Sequence, residues 1–303
     1  MEKESHLSFY DQIARNKRSS FFLMVIIFIV FVALGYAISL VMGEGYFFII
    51  MIVAIVFSLG YLLFSYYNSD KIAIKSVGAK KASRSQHKVF YDSVEGLTLA
   101  SGMPMPRLYV MPSKQINAFA SGRNPENAVI CVTQGALDKL DRRELEGVLA
   151  HELSHIANYD IRYMTIATVV VGMIAIVSEI FLRSLFFSSL SNGGDDNKSS
   201  WIFLLIGIVL AILAPIVVKL VQFAISRKRE YAADSTAVKF TRYPKGLSGA
   251  LKKIKQDHEA GSGKTEKKQV SRALAPLFIS NPFKGMASTH PPIDKRIEIL
   301  EKM

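Results

Sequence analysis

Two long stretches without an ionisable residue, 21–41 and 45–67, stand with only Met42-Gly43-Glu44 between them. A helix rises about 1.5 Å per residue, so each stretch can cross a hydrocarbon core of roughly 30 Å. The pattern predicts a transmembrane hairpin. It excludes a cleaved signal peptide, whose apolar region is shorter and has no return span. Two further apolar stretches follow, at 164–190 and 201–223. The third is interrupted by Glu179 and Arg183, four apart with the acid first, the order that favours a helical ion pair. The fourth carries Pro215, a kink position. Four spans in two hairpins are expected.

Charge orients them. Lys+Arg number 37 against 25 Asp+Glu, a net +12. Lys3, Arg15, Lys17 and Arg18 precede the first span, and Lys71, Lys75, Lys80, Lys81 and Arg84 follow the second. Arg162 precedes the third, and Arg227, Lys228 and Arg229 follow the fourth. The intervening turns hold Glu44 in one and Asp195, Asp196 and Lys198 in the other. By the positive-inside rule both termini and the polar mass are cytoplasmic. The surplus is then topology and attraction to anionic lipid, and nucleic acid is not expected as a partner. The 50% hydrophobic content excludes a disordered chain. The single cysteine, Cys131, excludes an internal disulfide and a cysteine zinc site. Residues 1–68 form the N-terminal segment and first hairpin, and 69–303 a polar domain interrupted by the second.

The polar segments read as mainly α with a small β-sheet. Residues 87–102 predict a helix stopped by Pro104 and Pro106. Three short runs, 107–111, 115–120 and 128–132, have strand character and are parted by Pro, Ser, Gly and Asn. Asp141-Arg-Arg-Glu144 is a capping box. Leu145, Val148, Leu149, Leu153 and Ile156 then repeat at helical spacing through Asn158. Residues 261–269 predict a mobile loop, and Pro291-Pro292 opens a last short helix.

The chemistry sits in the capped helix, at His151-Glu152-Leu153-Ser154-His155. Histidines at i and i+4 lie about 40° apart around a helix, so both imidazoles can reach one ion. Glu152 stands about 60° round from His155, beside the ion and suited to a metal-activated water. That is the zinc-hydrolase arrangement, with the carboxylate relaying the water's proton. A third protein ligand is needed, with water in the fourth position. Glu230, in Arg229-Glu230-Tyr231-Ala232-Ala233-Asp234, is the candidate. His155 lies shortly before the third span and Glu230 shortly after the fourth. Continuous antiparallel helices would hold both at matching height, about 10–14 Å above the bilayer edge. Asp234, one turn on, is placed to accept the second N–H of a ligand histidine.

These stretches resemble the HtpX-type membrane zinc metallopeptidases, and more distantly the zinc-dependent CaaX prenyl proteases. The matching segments are Ile116-Asn-Ala-Phe-Ala120, Gly122-Arg-Asn-Pro-Glu-Asn127, residues 145–155, Asn158 with Asp160, 230–234, and Ser288-Thr-His-Pro-Pro292. The resemblance implies a gluzincin-like peptidase domain facing the cytoplasm of a bacterial cell membrane. It implies one Zn2+ per subunit on His151, His155 and Glu230, and Glu152 as base. It also implies proteolytic quality control, with damaged or misfolded membrane proteins as the polypeptide substrates.

Asn117-Ala118-Phe119 resembles the edge strand on which related zinc peptidases lay the substrate, where backbone pairing would bind an extended peptide of any sequence. His290 has two readings: a donor to the oxyanion on the scissile carbonyl, or a side chain packed before the Pro-Pro turn. Arg296 has two readings, a partner to a carboxylate near the site and, the favoured one, part of a solvated helix face. Two other functions compete with the peptidase: a protein using the metal as a structural clip, and a transporter using Glu179 and Arg183. Glu152 argues against the first, since a structural site needs no base, and the lack of repeated broken halves against the second.

Overall fold

The computed structural model describes residues 9–42, 44–166, 227–260, 277–280 and 291–303. The expected third and fourth spans beyond residue 166, with Glu179 and Arg183, the 261–269 loop and His290 lie outside them.

Helices α1 (Phe9–Met42) and α2 (Phe47–Ser76) form the N-terminal hairpin, joined by a short 3-10 turn at Glu44–Tyr46. Phe31 meets Phe57 and Tyr61 of the facing helix at ring-centroid distances of 6.1 and 5.8 Å. At Gly35 the helices approach so closely that a Cβ would collide with the Ala54 methyl, the small-residue contact that membrane helices use. Among the described residues, α2 is the helix long and apolar enough to cross a membrane. Its Phe48, Ile49, Ile52, Val53 and Val56 are exposed, a contiguous apolar surface. The helix bends at Asn68, whose backbone leaves helical geometry. Beyond that bend it turns polar and packs on the rest of the chain, with Asp70 paired to Arg107 at 2.5 Å.

That remainder is helical around a four-stranded mixed sheet. Strands β1 (Lys80–Lys81), β2 (Arg107–Met111), β3 (Ala118–Gly122) and β4 (Ala128–Thr133) lie in the order β1-β2-β4-β3. β2 and β4 run parallel, while β1 on β2 and β3 on β4 are antiparallel. α3 (Lys88–Ser101) sets Phe90, Val94 and Leu97 into the core and ends at Gly102, whose φ of 71° is the left-handed cap glycine accepts.

β4 is buried on both faces, with successive side chains entering different cores. Ala128, Ile130 and Val132 face a large cluster with α5 (Arg142–Ala157). Val129 and Cys131 face a smaller one with Ala73, Ile74 and Val77 of α2. The sheet thus couples the N-terminal hairpin to α5. α4 (Gln134–Lys139), α6 (Arg227–Thr241), α7 (Pro244–Glu259) and α8 (Ile293–Glu301) complete the described helices.

The second expected strand, 115–120, starts later. The Ile116 N–H goes to Asp257 Oδ2 at 3.0 Å and the Asn117 N–H to Thr133 Oγ1 at 2.9 Å. Side chains thus take the bonds a ladder would have used, and pairing begins at Ala118. Pro291-Pro292 does precede the last helix, whose N-cap is Pro292.

Candidate metal centre

α5 begins with the reciprocal bonds of the capping box: the Glu144 N–H donates to Asp141 Oδ1 at 2.9 Å and the Asp141 N–H to Glu144 Oε2 at 2.8 Å. α6 and α7 pack against it, as does the sheet. At Gly147 the α7 backbone comes so near that a Cβ would sit 2.5 Å from the Leu247 nitrogen. Enclosed in this way, α5 buries even its polar residues. His151, Glu152 and His155 are 0%, 1% and 4% exposed, and Glu230 of α6 is 2% exposed.

One donor atom from each of His151, His155 and Glu230 lies within 4.8 Å of the others. The two Nε2 atoms are 3.2 Å apart, and each is 3.7 Å from a Glu230 oxygen. Both imidazoles are held from behind. Asp234 Oδ1 lies 2.9 Å from His151 Nδ1, and Asp160 Oδ2 3.1 Å from His155 Nδ1. A carboxylate accepts, so each imidazole turns an Nδ1–H to its carboxylate and its Nε2 to the facing cluster. Two imidazole nitrogens and a carboxylate directed at one point are held together by a cation between them, a proton on Nε2 or a metal ion that replaces it. Nitrogens bound to a tetrahedral zinc at about 2.0–2.1 Å stand about 3.3 Å apart, close to the spacing found. The donor set fits such an ion.

The electrostatics agree. Burial and the Arg296 guanidinium hold the His151 imidazole below its ordinary pKa, keeping it neutral as a ligand must be. Burial would lower His155 too. The hydrogen bond to Asp160 and the charges of Glu230, Asp160 and Glu152 outweigh it and raise His155 to about 9. The pocket therefore attracts positive charge at this point.

Glu152 stands beside the cluster. Burial raises its carboxyl to about 7; Glu230 adds to the rise, while His155, the Ala120 N–H and Arg296 oppose it. Its Oε1 is buried with no hydrogen-bond partner among the described residues, leaving one acceptor lobe for a water or substrate group.

Arg296, expected on a solvated face, is instead 1% exposed. It grips Asp234 with two parallel bonds, Nε to Oδ2 at 2.9 Å and Nη2 to Oδ1 at 2.6 Å, and sets Nη1 3.4 Å from Glu230 Oε2. The signal was its register. Ile293, Arg296, Ile297 and Leu300 form one helical stripe, and Ile297 and Leu300 are buried with Arg296. Against Asp234, burial tends to raise the carboxyl, but Arg296 and the His151 hydrogen bond outweigh it and hold the group below the usual carboxylate range. Asp160 is the other residue whose role spacing alone did not show. A turn through Tyr159, at a φ of 59°, carries it back onto His155.

Asn117, Ala118 and Phe119 lie at the outer edge of β3, which a chain segment occupies. Phe119 pairs with Phe278 antiparallel, and the Ile279 N–H donates to the Ala118 carbonyl at 3.0 Å. The Asn117 amide binds Ser280, donating to its carbonyl at 2.8 Å. The Ala120 N–H, further along the same edge, turns to Glu152.

Comparison with known proteins identifies relatives across almost the full length. Residues 84–303 match peptidase family M48. A protein named protease HtpX homolog from Dictyoglomus thermophilum is 41% identical over 300 residues, covering 98% of this chain and 95% of that one. Another of that name from Listeria monocytogenes is 40% identical over 309 residues, covering 97% and 99%. The crystal structure of S. mikatae Ste24p aligns with a TM-score of 0.48 at 18% identity, over 84% of this chain and 57% of that one.

Proposed function

The chain belongs to peptidase family M48, and from that membership we propose a membrane-embedded zinc endopeptidase with Glu152 as its base. One observation carries the reading. Two imidazole Nε2 atoms, each with its proton drawn to the far side of the ring, converge at 3.2 Å beside Glu230 and next to Glu152.

Zn2+, one per subunit on His151, His155 and Glu230, would supply the Lewis acid that acidifies a water and polarises the scissile carbonyl. Glu152 takes the proton of the attacking water and returns it to the departing amine. Burial raises the Glu152 carboxyl, which helps it hold that proton between the two transfers. Asp234 and Asp160 hold the imidazoles in the tautomer that presents Nε2. Arg296 sets its guanidinium against both acids of α6, Asp234 and Glu230, and offsets their charge. His290, outside the described residues, enters as the donor to the oxyanion.

The β3 edge at Asn117, Ala118 and Phe119 takes the substrate backbone. Its bonds to 278–280 are of the kind an extended peptide makes, and a substrate uses them as that segment yields. Four membrane spans, the hairpin at residues 1–68 and a second within 69–303, hold the catalytic domain on the cytoplasmic side of a bacterial cell membrane. Damaged or misfolded membrane proteins are the substrates.

The experiment compares purified protein, loaded with zinc and given an unfolded test protein, with Glu152→Gln. The amide keeps the size but cannot accept the proton. Zinc content is expected to be unchanged and turnover to fall to a small fraction; comparable turnover would remove Glu152 as base.

A further inference from the structure

Helix α1 does more than lie in the hairpin. Its Asn16 is 8% exposed and reaches across 144 positions of sequence to Asp160, donating from Nδ2 to Oδ1 at 2.7 Å. The same nitrogen donates to the Asn158 carbonyl at 2.9 Å. Both partners are pure acceptors, so the amide can face them only through its nitrogen. The other oxygen of Asp160 receives His155 Nδ1 at 3.1 Å. One unbroken chain therefore runs from Asn16 through Asp160 to His155. On the same turn, Lys17 lies 4.2 Å over the Tyr159 ring, and Arg229 Nη1 stands 3.9 Å from Asp160 Oδ1.

We infer that Asn16 is a positioning residue for the metal centre: through Asp160 it fixes the rotation and tautomer of His155, so that docking of α1 and retention of the metal are linked. The physical reason is geometric. A carboxylate bonded only to an imidazole can swing about its own side-chain torsions. One clamped at its second oxygen, beside a backbone carbonyl held by the same donor, cannot. Among the described residues, Asp160 Oδ1 would otherwise keep only the longer Arg229 contact. Linkage is reciprocal, so an ion on His155 also tightens the seat of α1 on the 158–160 turn.

The inference rests on the zinc reading above, and zinc release from the full chain in detergent separates the two. The protein is loaded with Zn2+, and its loss to a chromogenic chelator is timed. Asn16→Ala, and the near-isosteric Asn16→Leu in case the smaller side chain disturbs folding, are expected to release zinc about tenfold faster, at the low end for outer partners of a ligating histidine. Lys17→Ala, which removes the neighbouring contact of the same helix on the same turn, is expected to release it as the parent does. If both Asn16 variants match the parent while Asp160→Ala is fast, the chain ends at Asp160 and the inference is wrong. Equal acceleration by Lys17→Ala would also overturn it, assigning the effect to helix docking at large. If the parent protein holds no zinc, or His155→Ala holds it as the parent does, it is the metal reading that has failed.

Discussion

The side-chain amide of Asn117 closes on the backbone of a single residue: Nδ2 donates to the Ser280 carbonyl at 2.8 Å, and Oδ1 accepts from the Ser280 N–H at 3.4 Å. Next to it the Ile279 N–H bonds the Ala118 carbonyl, and the Phe119 and Phe278 rings meet edge to face at 5.1 Å. The grip uses backbone atoms that every peptide carries.

Asn117→Ala should therefore slow cleavage of unrelated peptides by similar factors, corresponding to about 1–3 kcal/mol where the partner group stays desolvated. Ile279→Pro removes the N–H given to Ala118 and should lower KM if 277–280 and substrate share the edge. Measuring kcat/KM on several peptides decides the matter. One badly affected peptide among untouched ones would mean that Asn117 reads side chains. A folded Ile279→Pro protein with raised KM would make 277–280 a fixed part of the sheet.

The ligand set has its own test. Glu230→Ala should lower zinc occupancy after dialysis, because it removes a donor. Asp234→Ala should leave three donors and weaken affinity about 10–100-fold, through loss of the Nδ1 partner of His151. Metal analysis of both variants distinguishes the roles. Full occupancy in Glu230→Ala would place the third ligand elsewhere.

Arg296→Ala removes a buried counter-charge from Asp234 and Glu230, a change that costs about 3–5 kcal/mol when one partner of a buried pair is lost. Arg296→Lys keeps the charge but not the planar fork, and should fall between Ala and the parent. Chemical denaturation of the zinc-free proteins ranks the three. Equal stability of Ala and Lys would show that geometry rather than charge holds the site.

Cys131 is 1% exposed, and burial pushes its thiol pKa up, so little thiolate exists at neutral pH and the folded protein should resist maleimide. The chain then offers a quiet background for topology. Tyr46→Cys, at the hairpin turn, should label from outside the cell, and Lys81→Cys only after permeabilisation. The reverse pattern would put the catalytic domain outside.

Much of the chemistry was legible because it is local. The i, i+4 histidines and the capping box lie within one helix, where spacing alone sets direction. Glu230 and Asp234 needed only the further assumption that two helices stand at one height. The start of β3 was not legible, because it depends on Asp257 and Thr133 taking backbone bonds from residues distant in sequence. Arg296 was misread for a related reason. An arginine on an amphipathic helix belongs in water unless something buried needs its charge, and that something, Asp234, stands 62 positions away.

The amino-acid sequence by itself determined which residues could be ligands and which stretches must avoid water, since both follow from period and from the cost of charge in hydrocarbon. Only the tertiary structure decided what stands behind those ligands: Asp160 behind His155, Asn16 behind Asp160, and Arg296 behind Asp234. It also decided that 277–280 lies on the edge of β3. Each of these is a contact between short-range donors and acceptors carried together by packing. A hydrogen bond acts over about 3 Å, so no spacing along the chain announces it.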